Sequence, residues 1–272
     1  MKYQPICRGK NYPLTVQIID APEKPEHLIA FTYLECIENR NYVDLNDVSD
    51  KDATDITNWV LKGGHTPSLE CVHLTFTIRN ISRILSHQIV RHRIGVSIGQ
   101  RTQRANAEEY LGKFYDNEHF VLPPSIQNME DNEYLFNYLK TAQEIYNLLI
   151  NNGISQDDAR YIIPHCAETS MTLTISYKSL MHVCSTRLCH VMQGEMVELA
   201  QALKRSTYFW NEFLGKYLKP VCGITGKCNR NENNPTQAYP KGVCLYTQNG
   251  EVAVREKDDT FDLTKYSKDA TK

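Results

Sequence analysis

Strands and helices mixed in one chain are what this sequence predicts, and three stretches carry that reading. Val72, Leu74, Phe76 and Ile78 alternate with His73, Thr75 and Thr77, the period of a half-buried strand. Met171, Leu173 and Ile175 alternate with Thr172, Thr174 and Ser176 in the same way. Between them, Asp131 to Asn152 sets Leu135, Tyr138, Leu139, Ala142, Ile145 and Leu149 on one helical stripe, with Gly153 past its end. The chain has 272 residues, 41% of them hydrophobic, enough for a substantial core in one large domain or two small ones.

In chain order, Thr54 to Leu61 predicts a short helix with Ile56, Trp59 and Val60 inward, stopped by Gly63 and Gly64. His65 to Glu70 forms a polar turn before the first strand. Ser82 is a good N-cap for a helix carrying Ile84, Leu85 and Ile89, which runs directly into Arg91. On it, Gln88 lies three residues before Arg91 and so shares its face. Ser155, with Asp158 three residues on, resembles a capping box for a second short helix that ends before Pro164 and holds Arg160 in its middle. After the second strand, one long helix is expected from about Lys178 to Lys204, with Lys178, His182 and Arg187 near helical spacing. Beyond Pro220 the composition turns polar, and residues 220–272 read as an appended, partly mobile extension to a domain spanning 1–219.

Lys and Arg number 30 against 32 Asp and Glu, so no global field draws the chain to nucleic acid. No apolar run is long enough to span a bilayer, and Met1 to Pro5 lacks the apolar core of a secretion signal, so a cytoplasmic protein is expected. The cysteines are scattered from Cys7 to Cys244 without a CxxC, and the spacing of Cys222, Cys228 and Cys244 matches no usual zinc site, so no metal is expected. No GxGxxG occurs, and Gly223 to Lys227 lacks the residues of a P-loop.

The chemistry concentrates in Arg91-His92-Arg93 and, eight residues later, Thr102-Gln103-Arg104, with Gly95, Ser97 and Gly99 between. Guanidinium forks bind oxyanions bidentately, glycines let backbone N–H groups approach, and hydroxyls donate without adding charge. That mixture suits a nucleotide or a phosphate-bearing cofactor. A solvated basic turn and a groove for nucleic acid remain open on the residues alone.

The order Gly64-His65-Thr66, alternating strand, Gln88, Arg91-His92-Arg93, Thr102-Gln103-Arg104, Ala159-Arg160, Lys178-Ser179-Leu180-Met181 and Arg187-Leu188 resembles the flavin-dependent thymidylate synthases over roughly residues 25 to 215. The resemblance implies an α+β fold with a mixed sheet and long helices, assembled as a homotetramer whose active sites are shared between subunits. It implies reductive methylation of dUMP at C5 to dTMP, with FAD as cofactor, methylenetetrahydrofolate giving the carbon and NADPH reducing the flavin. Arg91, His92, Arg93, Gln100, Ser176, Tyr177, Lys178 and His182 would contact FAD, with His65 near the folate and flavin. Gln88, Arg91, Gln100, Arg101, Thr102, Gln103, Arg104, Arg160 and Arg187 would bind dUMP, and Arg187 would be catalytic, favouring ionisation of the uracil at N3.

The sequence also departs from that pattern. Eight residues, Ile94 to Arg101, precede Thr102 where the family has seven before a serine, and Gly99 and Gln100 replace its asparagine and glutamate. Alternatives are a diverged enzyme that modifies another pyrimidine nucleotide and a non-enzymatic nucleic-acid-binding module. Blander roles stand beside the residue assignments: Arg160 pairing with Asp157 or Asp158, Arg187 on a surface, His65 capping its turn, and Cys184 and Cys189 in the core.

Overall fold

The strand expected at Val72 forms because alternate apolar residues can all enter one core: Leu74, Phe76 and Ile78 are fully buried in β3 (His73–Ser82) while Thr75 and Thr77 face the other way. In this computed structural model, residues 7–8, 14–37, 43–63, 65–104, 110–130, 132–189, 192–225, 247–248 and 251–252 are described. Gly64, Asp131, Cys228, Cys244 and most of the polar extension lie outside them.

β2 (Thr15–Asp20), β3, β6 (Glu168–Ser176) and β4 (Val96–Gln100) make a four-stranded sheet in the order β2-β3-β6-β4, with every neighbouring pair antiparallel. Two short ladders accompany it, β1 (Cys7–Arg8) with β5 (Val121–Leu122) and β7 (Thr247–Gln248) with β8 (Glu251–Val252). The register of β3 shifts between Ile78 and Ile81, where Asn80 adopts φ 60°. This bulge lets Ile81 and Ser82 both turn inward at the end of the strand.

The helices are α1 (Pro25–Cys36), α2 (Asp50–Leu61), α3 (Arg83–Ile89), α4 (Pro124–Gln127), α5 (Asn132–Asn151), α6 (Gln156–Ala159), α7 (Tyr177–Arg187), α8 (Gly194–Trp210), α9 (Glu212–Tyr217) and α10 (Val221–Thr225). One core joins Ile29 of α1, the inner residues of β3 and β6, Leu85 and Ile89 of α3, Leu180 and Val183 of α7, and Leu199 and Leu203 of α8. Burial of that apolar surface is the main stabilising term. Ser82 caps α3 as expected, its Oγ accepting from Leu85 N–H at 3.0 Å, and Ser155 caps α6.

Several expectations are corrected. α2 begins earlier, behind the Ser49 cap, and Trp59 is half-exposed, lying 5.0 Å from the Tyr33 ring. Ile84 is exposed, while Leu85 and Ile89 are buried. On α5 the buried stripe is Leu139, Ala142, Gln143 and Tyr146; Tyr138 and Ile145 are exposed. Gln143 enters the core because both ends of its amide are bonded: Oε1 accepts from the Tyr115 and Asp116 N–H groups, and Nε2 donates to Asp116. The long helix expected from Lys178 is two helices, α7 and α8, broken where Gln193 caps α8 by accepting from Met196 N–H. Arg160 follows α6 rather than sitting within it.

Candidate active site

α3 runs from the bulged end of β3 into the Arg91 segment, where the Arg91 and His92 N–H groups donate to the Gln88 and Ile89 carbonyls. Gly95, at φ 63°, then turns the chain into β4. An L side chain is strained there, and a Cβ would lie 2.6 Å from Ser176 Oγ. The close approach is used: Ser176 N–H donates to the Gly95 carbonyl at 2.8 Å and Ser179 Oγ to the Ile94 carbonyl at 2.6 Å. These bonds fix the Arg91 segment against the start of α7. Gly99 instead lies inside β4, opposite Thr172, so the glycines shape a turn and a strand rather than a phosphate loop.

The first basic group forms between α3 and α7. Arg187 Nε donates to His92 Nε2 at 3.3 Å, and the His92 and His182 rings meet edge to face at 6.1 Å. Burial lowers the His92 pKa below its ordinary 6.5, and the Arg187 and His182 charges push the same way. The bond from Arg187 uses His92 Nε2 as an acceptor, which requires the neutral form that this shift favours. Arg91 and Arg93 are exposed, and no carboxylate pairs with either among the described residues. Lys178 points elsewhere, to Glu70 at 2.6 Å, and so ties α7 to the 66–70 turn that follows His65. His65 Nδ1 meets Ser68 Oγ at 3.0 Å. Ser176 is buried as the α7 cap, and the buried Tyr177 donates its hydroxyl to the Leu214 carbonyl at 2.8 Å. A cofactor could meet Tyr177 only through its backbone.

The second basic group lies past the other end of β4. Arg101 N–H donates to the Ser170 carbonyl, and Thr102 Oγ accepts from Arg104 N–H at 3.0 Å. Asp157 takes Arg104 at 2.8 Å and Arg160 at 3.4 Å on the same oxygen. The pairing of Arg160 with Asp157 is thus present, and it brings together two of the arginines expected to bind the nucleotide. Gln100 reaches Thr169 Oγ1 at 3.5 Å, and Gln103 is half-exposed. Burial lowers the Arg83 pKa, and Arg160 pushes it the same way.

Five residues of extended backbone in β4 hold its ends roughly 13 Å apart. No hydrogen bond or ion pair joins the two basic groups among the described residues. Sequence reading assigned no role to Glu168 and His119, which the fold brings to Arg101, or to Glu195, which it brings to Ser82 at the start of α3; the acidic residue inside an otherwise uncharged stretch, Cys166 to Ser176, was the available signal for Glu168.

Residues 17–210 match the family model described as thymidylate synthase complementing protein. The chain belongs to this family. Among its relatives, the flavin-dependent thymidylate synthase of Geobacter sulfurreducens is 29% identical over 217 residues, covering 79% of this chain and 90% of that one. The enzyme of the same name from Thermococcus kodakarensis is 36% identical over 204 residues, covering 71% and 80%. The fold matches Thymidylate Synthase X from Helicobacter pylori, solved with FAD and dUMP, at TM-score 0.60 and 22% identity over 76% of this chain and all of that one. It also matches the UMP/dUMP methylase PolB from Streptomyces cacaoi, bound with 5-Br dUMP, at TM-score 0.59 and 16% identity, covering 75% and 94%. The α+β architecture of this family is the one described above.

Proposed function

We propose that this chain is a flavin-dependent thymidylate synthase, which methylates dUMP reductively at C5 to give dTMP, with FAD as cofactor and methylenetetrahydrofolate and NADPH as co-substrates. The observation that carries this reading is the pair of basic groups joined by β4, Arg187 against His92 on one side and Arg104 with Arg160 around Asp157 on the other.

The residues fit FAD. Arg91 and Arg93 are exposed guanidiniums without ion pairs among the described residues, suited to a pyrophosphate, and the Gly95 turn holds them beside His92 and His182. Bound FAD supplies the redox chemistry, while the protein supplies orientation and charge. A guanidinium beside a pyrimidine that loses its N3 proton stabilises the resulting anion, and Arg187 supplies one. That ionisation makes C5 more nucleophilic. Arg104 and Arg160 take the 5′-phosphate, with Gln88, Gln100, Arg101, Thr102 and Gln103 completing the nucleotide's surroundings. His65 lies on the folate side.

The assembly is a homotetramer with shared sites. The separation of the two groups along β4 supports a site closed by Arg187 of one copy and Arg104 and Arg160 of another. The exposed Tyr134, Tyr138 and Leu148 on α5 give apolar surface for such contacts. Residues 1–219 act as the catalytic unit, residues 220–272 as an extension, and the enzyme works in the cytoplasm.

The test is the purified protein's visible flavin spectrum together with tritium release from C5 of labelled dUMP, run against UMP and dCMP. Flavin and folate-dependent release from dUMP are expected. A colourless protein that binds RNA, or release from UMP or dCMP but not dUMP, would sink the reading.

A further inference from the structure

Glu168 opens β6 and is 6% exposed, in a stretch with no other charge from Cys166 to Ser176. A carboxylate that deep needs partners. It has two on its side chain: Oε2 meets His119 Nδ1 at 3.0 Å, and Oε1 faces Arg101 Nη1 at 3.8 Å. The backbone braces the same place, with Glu168 N–H donating to the His119 carbonyl at 2.8 Å and Glu168 in register with Ser82. Arg101 is held from a second side, its guanidinium lying 4.8 Å over the Tyr110 ring, which itself stands 5.2 Å from the His119 ring. Burial raises the Tyr110 pKa well above the ordinary value, and the Glu168 charge adds to this, so the ring stays neutral under the cation.

We propose that Glu168 is a positioning residue for nucleotide binding: its buried carboxylate, braced by His119, fixes the Arg101 guanidinium over Tyr110 so that its outer N–H edge faces the nucleotide's anionic end. Arg101 is the first residue of the 101–104 segment, so the proposal rests on the reading that this segment binds the nucleotide. A guanidinium has five donors, and one edge turned to Glu168 leaves others open. Without the carboxylate, a side chain that is 41% exposed regains its rotamers, and binding must order it again. The contact is long and half-solvated, so its effect is on orientation more than on charge.

The experiment measures dUMP dissociation constants by calorimetry on the flavin-loaded enzyme for wild type, Glu168→Gln, Arg101→Gln and the double variant, with KM, kcat and melting midpoint alongside. Wild type that binds no dUMP refutes the functional reading itself and is distinct from every outcome below. With wild-type binding in hand, Glu168→Gln is expected to weaken dUMP about two- to fivefold and to raise KM with little change in kcat. In the Arg101→Gln background the same change should add nothing, because Glu168 acts through Arg101. Unchanged affinity in Glu168→Gln overturns the proposal, as do effects that simply add, which mark a structural role. If Glu168→Gln does not fold, Arg101→Lys reads the contact from its exposed partner. An ammonium keeps the charge but not the planar stack, and dUMP affinity equal to wild type in that variant also overturns the proposal.

Discussion

Glu195, 3% exposed near the start of α8, accepts from both the backbone N–H and the hydroxyl of Ser82, itself 1% exposed. Ser82 in turn caps α3, the helix that delivers Arg91, His92 and Arg93. Glu195→Ala deletes two charge-assisted bonds of about 1.5–3 kcal/mol each and leaves the Ser82 N–H buried without that acceptor. Some relaxation at the cavity offsets this, giving an expected loss of about 3–5 kcal/mol. For a chain of this size each kcal/mol lowers the midpoint by about 2–4 °C, so thermal melting should fall by about 6–20 °C. Glu195→Gln keeps one acceptor for the N–H and should lose about half as much. The assay is a melt followed by far-UV circular dichroism, with flavin per chain measured on the same samples, because an unpinned α3 frees the Arg91 segment. A Glu195→Ala protein melting within about 2 °C of wild type would refute the argument that this carboxylate pins α3.

Four more outcomes are expected. Because the His92 pKa is depressed in the fold, the neutral ring favours folding fully above its ordinary 6.5, and this contribution is lost as pH falls from there through the lower folded value. Melting midpoint and flavin retention should therefore drop on acidification, and His92→Gln should flatten that drop; an identical profile in the variant would count against it. Gly95→Ala places a methyl against Ser176 and Ser179 at positive φ and should cost about 1–3 kcal/mol and lower flavin content, read from the absorbance ratio. Arg187→Lys keeps the charge but loses the planar fork, so kcat should fall more than flavin content; equal turnover would place Arg187 outside the chemistry. Burial pushes the Cys184 thiol up to about 12 and Cys166 up to about 11, whereas Cys36 and Cys71 are exposed, so among these four Cys36 and Cys71 should react first with a thiol reagent and Cys184 only on unfolding. Labelled peptides identified by mass spectrometry decide it.

By itself, the sequence determined the elements whose signal is local. β3 and β6 were legible because a strand's period is carried by neighbouring residues, and α3 because Ser82 supplies its own cap. The Arg91 segment and the order of its companion motifs were legible too, since residue types survive whatever the packing. β4 was not, because only Val96 and Ile98 of its five residues are apolar and Gly99 blurs the alternation. The stripe of α5 was misjudged because burial of Gln143 depends on the 115–116 backbone, which no helical period reveals. The break between α7 and α8 was missed because Gln193, which caps α8, is not among the residues that usually mark a helix start. The partnerships at the site were decided only by tertiary structure. Arg187 meets His92, Arg104 and Arg160 share Asp157, and Glu168 takes Arg101 and His119 because the β3-β6-β4 register carries distant segments to the same strand ends. Electrostatic and hydrogen-bonding groups act over a few ångströms of space, whatever their separation along the chain, so their pairing becomes readable only once the sheet has set which ends lie together.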